Sequence, residues 1–337
     1  MEHEDVVIRR GRRSGVTLVI AAHSRVLGPA VGGVRLRRYP DWRDGLEDAL
    51  RLSSAMTDKC AVAGVPFGGG KSVVALDGGT ELTPELREAA FEDLGELIAS
   101  LDGSYLAGPD VGTGPADMAV LRRYSPHVFC LPEEQGGVGS SSGPTAVGVL
   151  AALRSAARHV FGTESVEGRR VVLSGFGSVG SLVAEGLTGA EVIVSDVDTS
   201  KREPARRQGF GWIEPDEVLN TPCDILVPAA VGGVLSPETA ARLEASLVVG
   251  PANNQLTDDS VAELLADRGI RWIPDFVASA GGVVYTLGRE IEKLGHEEAI
   301  ARVEAIGSTV DMVLSAPGTP LAAARALAAE RLKHGRG

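Results

Sequence analysis

Short apolar runs alternate with longer amphipathic ones along most of the chain. Val16 to Ala22 (VTLVIAA) is apolar and β-branched, which predicts a strand. Trp42 to Met56 carries Leu46, Ala49, Leu50 and Leu52 at helical spacing. The next helix announces its own start, with Thr83 as N-cap, Pro84 at the first helical position and Glu85 in the first turn. Its stripe of Leu86, Ala90, Leu94, Leu97, Ile98 and Leu101 predicts a buried face and nothing more. A polar, glycine-rich stretch, Pro132 to Gly143 (PEEQGGVGSSSG), predicts a loop and a hinge between domains. Beyond it comes a small-residue helix, Thr145 to Phe161. Short β-branched runs then recur at Val171–Ser174, Glu191–Ser195, Asp224–Pro228 and Leu247–Gly250, separated by helical or turn-rich segments. Buried strands alternating with helices imply an α/β fold with a parallel, doubly wound sheet. The last forty or so residues are rich in Ala, Leu and Glu and predict helices that pack back on the first domain.

One run carries recognisable chemistry. Gly175-Phe176-Gly177-Ser178-Val179-Gly180 follows the strand VVLS and opens a helix, the context in which G-x-G-x-x-G binds a dinucleotide. The first glycine permits the tight turn, the second lets a pyrophosphate approach, and the third lets helix and strand pack closely. Free N–H groups at the helix start then face the phosphates. Asp196 ends the next strand, 21 residues after Gly175. A carboxylate there accepts from ribose hydroxyls and repels a 2′-phosphate, which favours NAD over NADP. Lys201 and Arg202, close by, weigh on the other side.

A second unusual run is Met56 to Asp77 (MTDKCAVAGVPFGGGKSVVALD). Gly68 to Gly70 let a substrate or a second backbone come close. Lys59 and Lys71 sit twelve residues apart among apolar neighbours. If they converge, one can pair with a substrate carboxylate, and the other, its pKa lowered by burial and by its neighbour's charge, can act as a general base. The alternative is that both ammonium groups reach solvent. The run is not a phosphate loop, because Val65 stands where the first glycine of G-x-x-x-x-G-K-[ST] belongs. Asp110 lies in a Gly/Pro-rich turn (YLAGPDVGTGPADM), facing a cleft or simply closing an Asx turn.

Bulk properties exclude several classes. The 337 residues suggest about two domains. A net charge of -12, from 33 basic and 45 acidic residues, disfavours nucleic acid. No apolar run spans a bilayer, and the charged first fifteen residues lack the apolar core of a signal peptide. Three widely spaced cysteines (Cys60, Cys130, Cys223) fit neither a disulfide framework nor a zinc site, so a reducing cytoplasm is expected. Six scattered histidines offer no metal site.

Taken together, the sequence resembles the glutamate/leucine/phenylalanine/valine dehydrogenases. The matching stretches are GPAVGGVRL (Gly28 to Leu36), MTDKCAVAGVPFGGGK, GPDVGT, GPTAVGV, SGFGSVG, PAAVGGV, GPANNQL and PDFVASAGGVV, in the family's order over nearly the whole chain. The resemblance implies a substrate-binding and oligomerisation domain (1–132), a Rossmann-type NAD domain (133–304), and helices from about 305 to 337 returning to the first domain. It places the active site in the cleft between. It also implies a homodimer or higher homo-oligomer. Lys59 is expected to bind the substrate α-carboxylate with the Gly32-Gly33 backbone, Lys71 to activate water, and Asp110 to pass protons to and from the amino nitrogen. Thr145 is expected at the nicotinamide, Ala229 on the cofactor side, Asn253 or Asn254 between nicotinamide and substrate, and Gly281 and Gly282 along the far wall. The implied reaction is hydride transfer from the substrate Cα to NAD, attack of water on the resulting imine, and collapse to a 2-oxo acid and ammonia.

Substrate choice rests on a few positions. Glutamate dehydrogenases of this look carry a lysine before the paired glycines, where this chain has Val31. A γ-carboxylate would be left unpaired there, so an apolar substrate side chain is expected. Gly108, two residues before Asp110, makes room and resembles the phenylalanine-preferring members, whereas Val283 resembles the leucine- and valine-preferring ones. Branched-chain substrates are favoured, with aromatic ones next. Ser279 and Tyr285 depart from the relatives and leave a specialised amino or imino acid as an alternative. A non-catalytic NAD-binding protein would have lost one of Lys59, Lys71 and Asp110, and none is lost.

Overall fold

A computed structural model describes residues 3–335. The chain folds into two compact units. One holds the residues up to Ser140, together with Thr286–Leu294 and the chain from Ala328 on; the other holds Ser141–Tyr285 and Gly295–Leu327.

The first unit is built on a five-stranded mixed sheet in the order β1-β2-β4-β3-β5: β1 (Asp5–Arg10), β2 (Thr17–Ser24), β3 (Ala30–Tyr39), β4 (Gly68–Asp77) and β5 (Tyr105–Pro109). β1 and β2 are antiparallel, as are β2 and β4; β3 runs parallel to both of its neighbours. The central strand β4 is buried at every position but its last, Asp77. Its side chains alternate between two cores. Val73 and Ala75 join Val19, Ala21, Tyr39 and Ala49 on the side of helix α1 (Trp42–Ala63). Val74 and Leu76 join Phe91, Leu94, Leu97 and Ile98 of α2 (Pro84–Ala99), with Met118 and Leu121 of α3 (Pro115–Arg122). That alternation is the strand period of two, and it fixes which residues share the α1 face.

Helix α1 runs seven residues beyond Met56, to a left-handed Gly64 cap, and so includes Lys59. Helix α2 starts as expected, with Thr83 Oγ1 accepting from the Leu86 N–H at 3.2 Å. Leu86 and Leu101 of its stripe are only partly buried. The glycine-rich stretch contains one short turn, Glu133–Gln135, and the next helix already begins at Ser142.

The second unit holds a six-stranded, all-parallel sheet in the order β11-β10-β9-β6-β7-β8. Its strands are β6 (Arg170–Ser174), β7 (Glu191–Ser195), β8 (Gly211–Trp212), β9 (Ile225–Pro228), β10 (Leu247–Val248) and β11 (Arg271–Trp272). Order reverses between β6 and β9, the arrangement of a dinucleotide-binding sheet. Helices α4 (Ser142–Phe161), α5 (Ser178–Gly186), α6 (Arg202–Arg207), α7 (Pro237–Arg242), α8 (Ser260–Asp267) and α9 (Asp275–Ala278) accompany it. Helix α10 (Gly281–Glu290) is followed by α11 (His296–Glu304), α12 (Ile306–Ser315) and α13 (Pro320–His334). Helix α12 packs on α4, where Asp311 accepts from Ser155 Oγ at 2.7 Å; the segment belonging to the first unit begins only at Ala328. Small residues at the α4–α12 contact, Gly148 beside Ile306 and Gly307 beside Ala151, let the helices approach and hold α12 on its own unit. Among the described residues no helix is long and apolar enough to cross a membrane.

Candidate active site

In the first unit the polar candidates gather on the α1 face of the sheet. Lys71 continues the Val73/Ala75 side of β4 and is only 5% exposed. Its Nζ donates to Asp110 Oδ2 at 2.7 Å. Arg35, on β3, donates through Nε to the same oxygen at 2.9 Å. Arg35 also donates to Asp48 of α1 at 2.9 Å, and Asp48 accepts from Tyr39 Oη at 2.9 Å. Two cations and two carboxylates thus alternate along a half-buried chain, so each charge has an opposite neighbour.

The turn holding Asp110 is latched by its own sequence. The Asp110 N–H donates to Thr113 Oγ1 at 2.8 Å, and that hydroxyl donates to the Val34 carbonyl at 2.8 Å. The carboxylate is thereby held where Lys71 and Arg35 reach it.

Burial pulls Lys71 below the ordinary lysine range, against the upward pull of Asp110. The charge of Arg35 adds to that depression. For Asp110, burial alone would raise the pKa, but the charges of Lys71 and Arg35 outweigh it and hold the carboxyl below the usual carboxylate range. All three cysteines are free thiols, and burial pushes Cys60 and Cys130 up to about 12 and Cys223 to about 11, so none is a thiolate nucleophile near neutral pH.

Gly33 packs closely against this pair and the Pro109 carbonyl. A Cβ there would stand 2.7 Å from Asp110 Cβ and 3.3 Å from Lys71 Nζ. Gly32 faces the other way, where the Gly70 carbonyl leaves no room for a side chain. The question left open by Gly68 to Gly70 is answered by the protein itself: Ser24, Thr57 and the Tyr105 ring occupy the space beside them. Val31 lies two residues before Gly33 on the same face and is fully buried. Lys59 is half-buried on α1, the helix packed on that face.

Gly108 requires a correction. It pairs in register with Gly33, but the space its missing side chain leaves is filled: a Cβ on Gly108 would overlap the Phe129 ring at Cε2 and Cζ. The residue makes room for Phe129, not directly for a ligand.

In the second unit the glycine loop has the expected form. Gly175 is left-handed, with φ +108, and a Cβ there would meet Ala230, next to the expected Ala229. The Ala229 N–H donates to the Ser174 carbonyl at 2.7 Å. Gly177 caps α5 with nothing within 4 Å of where its Cβ would be, whereas a Cβ on Gly180 would strike the Gly175 carbonyl. Ser178 and Val179 form the first turn of α5. The loop therefore leaves open the approach to the helix start that a pyrophosphate needs, and its residues fit a dinucleotide. Asp196 Oδ2 accepts from the Phe176 N–H at 2.9 Å and from Lys201 Nζ at 2.8 Å. Lys201 is thus the partner of Asp196.

The nicotinamide-side candidates also lie in this unit. Thr145 donates to the Ser141 carbonyl at 2.8 Å, and Gly282 sits against its hydroxyl. Asn253 and Asn254 are exposed; Asn254 is left-handed, at φ +53, and its N–H donates to Asp275 Oδ2 at 2.8 Å. Val283 is half-buried on α10. Ser279 donates to the Asp275 carbonyl at 2.6 Å and lies 3.5 Å from Asn253 Oδ1, and the Tyr285 hydroxyl pairs with His296 Nδ1 at 2.8 Å. Arg35 and Phe129 are the residues missed from the sequence. The Val31, Gly33, Arg35 alternation along β3 was the available signal for the first.

This arrangement has close relatives. A family model described as the Glu/Leu/Phe/Val dehydrogenase dimerisation domain matches residues 3–126, and one described as Glutamate/Leucine/Phenylalanine/Valine dehydrogenase matches residues 195–288. The chain is 39% identical over 291 residues to the phenylalanine dehydrogenase of Caldalkalibacillus thermarum, covering 84% of this chain and 78% of that protein. The chain belongs to the glutamate/leucine/phenylalanine/valine dehydrogenase family. As a member it is an oxidoreductase of the amino-acid dehydrogenase class, and the family depends on NAD(P). The leucine dehydrogenase of Bacillus cereus is 35% identical over 316 residues, covering 93% of this chain and 85% of that protein. The crystal structure of L-tryptophan dehydrogenase from Nostoc punctiforme matches with a TM-score of 0.85 at 31% identity, over 99% of this chain and 97% of that one.

Proposed function

We propose that the chain catalyses the NAD-dependent oxidative deamination of an apolar L-amino acid, with branched-chain side chains favoured, and the reverse reductive amination. The observation that carries this reading is the Lys71–Asp110 pair, at 2.7 Å, packed against the bare backbone of Gly33. Overall, amino acid, NAD and water give 2-oxo acid, ammonia, NADH and a proton. Bound NAD would supply the hydride acceptor at the substrate Cα; Gly175 to Gly180 would take its pyrophosphate and Asp196 its ribose.

The remaining steps belong to this chain's side chains. Lys59 and the Gly32-Gly33 backbone hold the substrate α-carboxylate. Lys71, neutral, takes a proton from the water that attacks the imine carbon; its burial makes the neutral form accessible. Asp110, held ionised by Arg35, receives and returns the proton of the amino nitrogen as ammonia leaves. Thr145, Asn253 and Asn254 orient the nicotinamide end. The dimerisation domain matched at residues 3–126 supports a homo-oligomer.

NAD over NADP follows from the carboxylate of Asp196, which disfavours a 2′-phosphate. The apolar preference follows from Val31, because no cation stands there for a γ-carboxylate. The test is NADH formation with L-valine, L-leucine, L-phenylalanine, L-tryptophan and L-glutamate at alkaline pH. Turnover with the apolar substrates and not with glutamate is expected; glutamate as the best substrate would overturn the apolar assignment.

A further inference from the structure

Gly33 and Gly108 lie side by side on the α1 face, and different groups fill the space beside them: Asp110 Cβ and the Pro109 carbonyl at Gly33, the Phe129 ring at Gly108. Gly33 and Gly108 are paired in parallel register, so their missing side chains point to the same side. Lys71 Nζ stands at the Gly33 end, 3.3 Å from where a Cβ would be. The Phe129 ring stands at the Gly108 end. Its placement follows from pairing: the Phe129 N–H donates to the Ala107 carbonyl at 2.9 Å, extending the sheet by one more short stretch. Val128 turns into the core shared with Ala107, and Phe129 therefore turns to the face of Gly108 and Lys71. Phe129 is 5% exposed, and Val31 and Leu106, paired in register on the same face, complete an apolar border at 0% and 6% exposed.

We infer that Phe129 sets the substrate size limit of this enzyme, so that compact branched aliphatic amino acids are taken in preference to phenyl- and indole-bearing ones. The inference rests on the dehydrogenase function proposed above and specifies its side-chain pocket. Neighbouring strands lie about 4.8 Å apart, so the Phe129 ring is within reach of the side chain of a substrate whose Cα is worked on beside Lys71. Had the space over Gly108 been empty, it would admit an aromatic side chain. The ring already fills it. Gly108 is required here because any side chain would collide with Phe129. A branched aliphatic group can pack against the ring; a second ring would have to displace it from a close-packed position.

The experiment compares kcat/KM for L-valine, L-leucine, L-phenylalanine and L-tryptophan in the wild type, Phe129→Ala and the milder Phe129→Leu. The wild type is expected to prefer valine or leucine to phenylalanine by about ten-fold or more, the scale set by a few pocket methylenes. Phe129→Ala should lower that ratio by at least about ten-fold, chiefly through KM, and Phe129→Leu should fall between. Gly108→Ala should lose turnover with every substrate, and Gly108→Ala combined with Phe129→Ala should recover it with valine, because the new methyl takes the vacated space. An unchanged valine-to-phenylalanine ratio in active Phe129→Ala and Phe129→Leu enzymes would overturn the inference and leave the dehydrogenase function standing. Absence of turnover with all four substrates in all proteins, wild type included, would overturn both.

Discussion

Arg35 Nε and Lys71 Nζ donate to one and the same oxygen, Asp110 Oδ2, at 2.9 and 2.7 Å. The carboxylate is thereby fixed from two strands at once, β3 and β4, and its charge is matched before any ligand arrives. Arg35 is a positioning residue in this account: it acts on Asp110, and Asp110 acts on substrate. Replacing Arg35 with Leu removes one of the two cations and leaves Asp48 and Asp110 each one partner short. Stability should fall by about 1–3 kcal/mol, measured as a lower urea midpoint. The acid limb of the kcat/KM profile should move up in pH, because Asp110 loses a charge that keeps it ionised. Arg35→Lys should restore part of that shift. An acid limb unmoved in Arg35→Leu would assign Arg35 to structure alone.

The alkaline side should report Lys71. Its proton must leave before it can activate water, so deamination should rise with pH. The rise should centre below the ordinary lysine value of about 10.4, because burial disfavours the ammonium. A profile of kcat/KM over the neutral and alkaline range checks this; a flat profile would contradict the role.

Acid stability carries a separate sign. The Asp110 pKa is depressed in the folded chain, so its ionisation stabilises the fold above the unfolded carboxylate value of about 3.9. That contribution is lost as pH falls through the folded value. Asp110→Asn should therefore flatten the loss of stability below about pH 4, seen in urea midpoints taken across that range.

Cofactor choice should turn on Asp196. Asp196→Ala removes the acceptor of the Phe176 N–H and releases Lys201 from its 2.8 Å pair. Affinity for NAD should fall, and the ratio of NADP to NAD affinity should rise by about ten-fold or more. Calorimetric titration of both dinucleotides checks this, and an unchanged ratio would remove Asp196 from the recognition of the ribose.

Thr83→Ala serves as a contrast. It removes the cap bond to the Leu86 N–H, far in role from the chemistry, and should cost about 1 kcal/mol while kcat/KM stays unchanged.

The parts of this protein that were readable in its sequence are those whose cause is local. The glycine loop and the acid that follows it are defined within 22 positions, from Gly175 to Asp196, and each glycine has the backbone or packing reason its spacing implied. The Thr83 cap is local as well. By contrast, strand β1 was hidden in a charged stretch (DVVIRR), since an edge strand needs little apolar surface. The apolar spacing predicts helix α1 only as far as Met56, because Thr57, Asp58 and Lys59 interrupt it before the Gly64 cap. Lys71 and Asp110 are 39 residues apart, and only the family resemblance brought them together. Phe129 against Gly108 could not be read at all. Two residues on separate stretches meet there through strand pairing, and the glycine looks the same whether a ligand or a neighbouring ring fills the gap.

In the proposed reaction Lys71, beside Asp110, is the base of an oxidative deamination. The most direct measurement follows NADH absorbance at alkaline pH for the wild type and Lys71→Ala, with L-valine and L-leucine as substrates and NAD binding measured in parallel. Turnover by the wild type and a loss of about 100-fold or more in Lys71→Ala are expected, with NAD affinity retained. Equal turnover by the two proteins, or none by a wild type that binds NAD, would contradict this assignment.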